Sequence, residues 1–175
     1  MAAIAWSQWR AAGRRDTKFS TKRAGAALPM AWGTTMVSVR RLVPAEWTQA
    51  FPVVAQLRAA LDEAEFLSRV QRQSFSGYEL VGAFHDGALV GVLGMRPVHT
   101  LARGPHLHVD DLVVDERVRS GGIGKALLAF AEEDARARGL TAVFLDARRE
   151  AIPFYERERY AFHPAPSMKK LLGRG

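Results

Sequence analysis

The chain has 175 residues, nearly half of them hydrophobic, which is one domain's length and enough to bury a core. It has no cysteine, which excludes a disulfide framework, a thiolate zinc site and a cysteine nucleophile. No apolar run approaches the ~20 residues that cross a bilayer, so a soluble, cytoplasmic chain is expected, with a net charge of +7 concentrated toward its start.

Residues 1–36 carry six Lys and Arg against a single acidic residue, interleaved with Trp6, Trp9 and Trp32 and without a sustained period. They read as a poorly ordered basic extension, or an over-long start, ahead of a domain over 37–175. An Arg-rich, acid-poor tail also fits a transit segment, or a surface for nucleic acid or membrane. Val37 to Val43 alternates and predicts a strand. Pro44 suits the first turn of a helix running to about Leu61, with a kink or break at Pro52, and Asp62 to Gln73 gives a second helical piece. Glu79 to His85 and Ala88 to Pro97 flank Asp86-Gly87, a hairpin signal, and residues 98–105 read as a loop. His106 to Val114 is a strand. Ile123, Leu127, Phe130 and Ala131 then mark one face of a helix ending at Gly139. Thr141 to Asp146 reads as a buried strand, Ile152 to Glu158 as a short helix, and Tyr160 to His163 and Met168 to Leu172 as terminal strands.

The most informative segment is Val113 to Leu127, a strand end, a glycine-rich turn and a helix start. Arg119, Gly122 and Gly124 take the spacing Arg-x-x-Gly-x-Gly. Glycines admit close backbone approach, the first helical N–H groups lack internal partners, and the helix dipole favours an anion there. Arg119 and Lys125 add positive charge at the two ends of the turn. A Walker A loop is excluded, because Ala126 follows Gly124-Lys125 and no hydroxyl is available for magnesium. A Rossmann fingerprint is excluded, because Leu127 stands where the third glycine belongs. An ordinary strand-to-helix turn capped by Ser120 is the plain alternative.

This segment resembles motif A of the GCN5-related N-acetyltransferase superfamily, and Ala151-Ile152-Pro153-Phe154-Tyr155 resembles the same superfamily's later aromatic-Tyr helix. The resemblance covers roughly residues 37–172. It implies an α/β fold with a mixed, mostly antiparallel twisted sheet of six to seven strands and about four helices. The sheet would splay between the strands at 106–114 and 141–146. It also implies acetyl-CoA as cosubstrate. The pantetheine arm would pair with the main chain of Leu112, Val113 and Val114, as an added strand. The pyrophosphate would lie on Arg119 and the N–H groups of Ser120, Gly121, Gly122, Ile123, Gly124 and Lys125. Phe154 would flank the cofactor. Two positions depart from the pattern: Arg148 stands where many members carry a cofactor-binding Asn, and Arg159-Tyr160 replaces the usual Gly-Phe, so the turn there should differ.

The implied reaction is direct acetyl transfer to a primary amine in a ternary complex. Tyr155 matches the tyrosine near the cofactor sulfur, and a phenol pKa near ~10 lets it donate to a thiolate of pKa ~8.5. The position of the catalytic glutamate in histone-acetylating members falls on His108, and the acidic pair of the sugar-phosphate branch falls on Asp110 and Asp111. By strand alternation His108, Asp110 and Leu112 share one face, and Val109, Asp111 and Val113 the other. His108 or Asp110 could take the amine's proton; alternatively His106 and His108 are exposed strand residues, and Asp111 is structural. No metal site is expected. Phe66, Phe75 and Tyr78 either line an acceptor pocket or pack in the core, and Arg96 and Arg103 either meet an anionic acceptor or are solvated. The acceptor, a small molecule or a protein amine, is not legible. Outside this class stand a non-catalytic acyl-CoA sensor and a nucleic-acid or membrane-associated protein using the basic tail. The resemblance further implies a homodimer paired through terminal strands.

Overall fold

The computed structural model describes residues 30–32, 35–165 and 167–171. The basic extension therefore falls almost wholly outside the described residues. Six strands form one sheet in chain order: β1 (Met30–Trp32), β2 (Thr35–Arg41), β3 (Glu79–His85), β4 (Ala88–Thr100), β5 (Gly104–Val114) and β6 (Val143–Leu145). All neighbours are antiparallel except β5 and β6, which are parallel. The helices are α1 (Trp47–Leu57), α2 (Glu63–Ser74), α3 (Ile123–Ala137) and α4 (Ile152–Arg157). This is the mixed, mostly antiparallel α/β arrangement that the resemblance implies.

Each face of the sheet buries its own core. Ile123, Leu127, Phe130 and Ala131 of α3, the face read from the sequence, pack on Val81, Leu93, Leu107 and Val109. Ala50, Val53 and Val54 of α1 and Phe66 and Val70 of α2 pack on Leu80, Val92 and Val113 from the other side. The β3–β4 hairpin turns at Asp86 and Gly87, both with positive φ (49° and 80°), as a two-residue primed turn requires.

Four expectations are corrected. The helix over α1 passes through Pro52 without a break and ends at Leu57, four residues early. A helical proline costs about 3 kcal/mol, whereas each buried valine of that turn returns about 1.5–3 kcal/mol. Residues 98–105 are not a loop: β4 runs on to Thr100, β5 begins at Gly104, and only Leu101–Arg103 lie between. Residues Tyr160–His163 and, as far as Leu171, the segment from Met168 form no strand. Pro164, with no N–H to give a ladder, stops any extension of the first of these segments. Finally, a strand the sequence did not announce, β1, pairs with β2 through Met30↔Val37, Ala31↔Met36 and Trp32↔Thr35.

Candidate active site

The site forms where the sheet opens. Strands β5 and β6 pair only through Leu107↔Val143, His108↔Phe144 and Val109↔Leu145. Beyond Val109, the edge of Asp110–Val114 that faces away from β4 has no strand partner among the described residues. This is the expected splay, and it leaves the main chain of Leu112, Val113 and Val114 free for an added strand.

A β-bulge sits at the point of divergence. Gly94 pairs with Asp111 and Met95 with Val109, so Asp110 is the extra residue. The bulge overturns the simple alternation read from the sequence. Leu107 and Val109 face α3 before it, whereas Leu112 and Val114 face α3 after it. Val113 belongs to the opposite core, so Leu112 does not share a face with His108, nor Val109 with Val113. His108 and Asp110 do come together: His108 Nε2 lies 3.7 Å from Asp110 Oδ1, within ion-pair range but beyond a direct hydrogen bond. Arg96 holds the same carboxylate bidentately, Nε to Oδ2 at 2.8 Å and Nη2 to Oδ1 at 3.3 Å. Neither histidine is an exposed strand residue. His106 is buried with its ring edge-on to Phe144, and the His108 side chain is 19% exposed.

Asp111 is held by two residues that the sequence did not link to it. Arg58, the C-cap of α1, donates Nε to Asp111 Oδ1 at 2.8 Å and Nη2 to the Asp110 carbonyl at 3.2 Å. The Tyr78 hydroxyl donates to Asp111 Oδ2 at 3.1 Å. Burial and the Asp111 charge push the Tyr78 phenol well above its usual pKa, so it stays a donor. A Cβ on Gly94 would fall 1.9 Å from that hydroxyl, so Gly94 is the price of the contact. Tyr78 and Phe66 are buried in the core, whereas Phe75 stands exposed. The signals for Arg58 are a helix end and a charge, neither of which names a partner 53 residues away.

Past Val114 the chain enters a short 3-10 turn, Glu116–Val118, fixed by Asp115. The buried Asp115 side chain accepts from the Arg117 N–H at 3.0 Å and from Arg117 Nη2 at 2.5 Å. These bonds hold its carboxyl well below the usual carboxylate range. Ser120 then takes φ +73°, a left-handed conformation that strains any residue but glycine. Ser120 does not cap the helix. Gly122 does, at φ +75° and without a side-chain bond. The first intrahelical bond runs from Ala126 N to Gly122 O at 3.0 Å, so the N–H groups of Ile123, Gly124 and Lys125 have no helical acceptor.

The charges at the turn differ in their engagement. Arg119 is exposed and lies 3.5 Å from the Val114 carbonyl through Nε, with no carboxylate partner among the described residues. Lys125 Nζ lies 3.7 Å from Glu158 Oε2. Phe154 closes on the turn from α4: a Cβ on Gly124 would meet its ring at 3.1 Å and Val114 at 3.7 Å. Gly124 therefore lets α4 approach, a packing role as much as a ligand one.

Tyr155 is half-buried, its ring edge-on to Phe154 at 5.1 Å and to Tyr160 at 5.9 Å. Desolvation raises its phenol pKa. Among the described residues its hydroxyl makes no hydrogen bond to Asp110 or His108. It lines a cavity of about 920 Å³ behind β6, between α3, α4 and the C-terminal segment, rather than at the Arg119 turn. Arg148 reaches across to α1, donating Nη2 to the Leu57 carbonyl at 2.6 Å. Arg159 adopts φ +67°, the left-handed conformation that glycine would favour. Arg103 stacks on Phe144 at 4.5 Å. No group of three or more metal-ligating residues occurs among the described residues.

The likeness to known proteins follows the same lines. The family described as Acetyltransferase (GNAT) matches residues 39–159. YhdJ of Bacillus subtilis (strain 168), named as an uncharacterized N-acetyltransferase, is 34% identical over 128 residues, covering 69% of this chain and 88% of its own length. A glucosamine 6-phosphate N-acetyltransferase of Trypanosoma brucei brucei is 34% identical over 79 residues, 44% of this chain and 54% of that protein. The crystal structure of a Trypanosoma brucei acetyltransferase superposes with a TM-score of 0.66 at 26% identity, over 77% of this chain and 99% of that one. The chain belongs to the GNAT family of acetyltransferases.

Proposed function

We propose that the chain is an acetyl-CoA-dependent N-acetyltransferase that transfers acetyl directly to a primary amine in a ternary complex. The observation that carries this reading is a free strand edge, Asp110–Val114, leading into a helix start with no side-chain cap, beside Arg119, which has no carboxylate partner among the described residues. These groups fit the two polar parts of the cosubstrate. The main chain of Leu112, Val113 and Val114 would pair with the amides of the pantetheine arm. The N–H groups of Ser120 to Lys125, with Arg119, would hold the pyrophosphate. Arg148, whose bond to Leu57 crosses toward α1, would exchange that acceptor for a cofactor oxygen. When bound, acetyl-CoA supplies a thioester whose acetyl carbon accepts the amine and whose sulfur leaves.

The residues of the chain would manage the protons. His108 and Asp110, adjacent at the bulge, would take the proton of the incoming ammonium directly or through a water. Tyr155 would donate at the sulfur, and burial, which raises its phenol pKa, favours the protonated donor form. A thiol-release assay across amines tests this. Tyr155→Phe should lower kcat by about 10–100-fold with the KM for acetyl-CoA unchanged. Full activity in that variant would remove Tyr155 from the chemistry. Tight acetyl-CoA binding without turnover on any amine would favour a sensor.

The acceptor panel should include amino sugars, because one relative carries a sugar-phosphate activity in its name. Among the described residues no helix is long and apolar enough to cross a membrane. We also propose that two copies pair along the outer edge of β6, where Val143–Leu145 has no outer strand partner among the described residues and Phe162, which shares a cavity with that strand, stands exposed. Sedimentation equilibrium giving a monomer at micromolar concentration would refute that pairing.

A further inference from the structure

The surface where α2 meets the bulge contains a second cavity, of about 440 Å³, lined by Arg72, Gln73, Ser76, Arg96 and Asp110. It opens on the face of α1 and α2, opposite α3 and the Arg119 turn, and it includes the residue at which the sheet diverges. It is an open hollow lined by five residues, which would hold the polar ends of a small molecule rather than enclose it.

The charges lining it are unequal. Asp110 is the single carboxylate, and Arg96 already neutralises it through two bonds. Arg72 has no comparable partner: its nearest carboxylate oxygen, Glu65 Oε1, is 3.8 Å away and is held by Arg69 at 2.7 Å. The Arg72 side chain is 67% exposed. The cavity thus presents one surplus guanidinium beyond what its own carboxylate balances. The side chains of Gln73 and Ser76 stand beside it with no hydrogen bond among the described residues. A simple monoamine or a polyamine would bring its cation to Asp110 but leave Arg72 facing solvent or like charge, which opposes binding. A ligand with an ammonium at one end and an oxyanion at the other would satisfy both ends, since guanidinium groups grip planar or tetrahedral oxyanions with paired donors.

Resting on the acetyltransferase reading above, we infer that the acceptor is a small primary amine bearing a carboxylate or phosphate, its amine at Asp110 and its oxyanion on Arg72, with Arg96 assisting. Sequence reasoning reached Arg96 but paired it with Arg103, which instead covers Phe144. Arg72 carried no signal beyond being a charge near a helix end.

Matched probes test this: 2-aminoethyl phosphate against ethanolamine, and β-alanine against β-alaninamide. Each is measured by acetyl transfer and by calorimetric titration of the protein with and without CoA. The anionic member of at least one pair should exceed its neutral partner by about tenfold or more in kcat/KM and in affinity. Arg72→Ala should abolish that margin without changing Tm or acetyl-CoA affinity, while Arg136→Ala, an equal charge loss on α3, should preserve it. Parity within both pairs, including equal absence of binding, would overturn the inference, as would a margin that survives Arg72→Ala. The titrations without CoA keep this result separate from the acetyltransferase reading, which stands or falls on acetyl-CoA binding and thiol release.

Discussion

The two ends of α3 are finished in opposite ways. At the C-terminal end, Leu140 N donates to Ala135 O at 2.9 Å and Gly139 N to Arg136 O at 3.0 Å, the paired bonds that close a helix around a left-handed glycine. Side chains close it further. Arg138 Nη2 donates to both Glu79 oxygens at 2.7 and 2.8 Å, and its Nε lies 2.8 Å from Asp134 Oδ2 in an ion pair that makes no hydrogen bond. Arg41 joins Glu79 and Asp134 from β2. At the N-terminal end, three N–H groups lack helical acceptors, the cap has no side-chain oxygen, and Arg119 has no carboxylate partner among the described residues. One end is consumed by the fold, and the other, on the proposed function, would receive an anion. That contrast within a single helix argues that the glycine-rich turn is a binding device rather than an ordinary connection.

A matched pair of substitutions puts the contrast under the greatest load. Gly122 and Gly139 both hold positive φ, +75° and +71°. Valine at either should cost roughly 1–2 kcal/mol of backbone strain. Only Gly122→Val should also weaken acetyl-CoA, by about 100-fold. Equal weakening by Gly139→Val in a titration would break the distinction between the ends. Next in size, Arg138→Ala should destabilise by about 2 kcal/mol, or about 6 °C in Tm, because it strips a partner from two partly buried carboxylates. Acetyl-CoA affinity should not move, and thermal unfolding beside the titration checks both parts. The smallest effect is a gain. Ser120→Gly should relieve the left-handed strain at φ +73° and raise stability by up to about 1 kcal/mol in urea unfolding. A loss of stability there would show that the Ser120 side chain contributes more than its strain costs.

Much of this was legible because its signals are local. Asp86-Gly87 announces a primed hairpin turn, and the apolar spacing from Ile123 to Ala131 announces the face of α3. The Arg119 turn and the Phe154-Tyr155 helix carry the family in two short motifs. What escaped depends on partners distant in sequence. The bulge at Asp110 has no glycine or proline to mark it, and it inverts which side chains face α3 along half of β5. Arg58, Asp111 and Tyr78 lie on three elements, and only the folded sheet joins them. Pro52 reads as a breaker because propensity is visible and burial of Val53 and Val54 is not. The terminal strands were over-read from residues of suitable composition, because composition names no partner strand.

On the proposed function, the open end of α3, with Arg119, would hold the pyrophosphate of acetyl-CoA. Calorimetric titration of the wild-type chain and of Arg119→Glu with acetyl-CoA tests it most directly. Micromolar binding by the wild type and a loss of about 100-fold or more in the variant are expected, with Tm unchanged because Arg119 is exposed and has no ion pair among the described residues. No binding by the wild type, or equal binding by both, would contradict it.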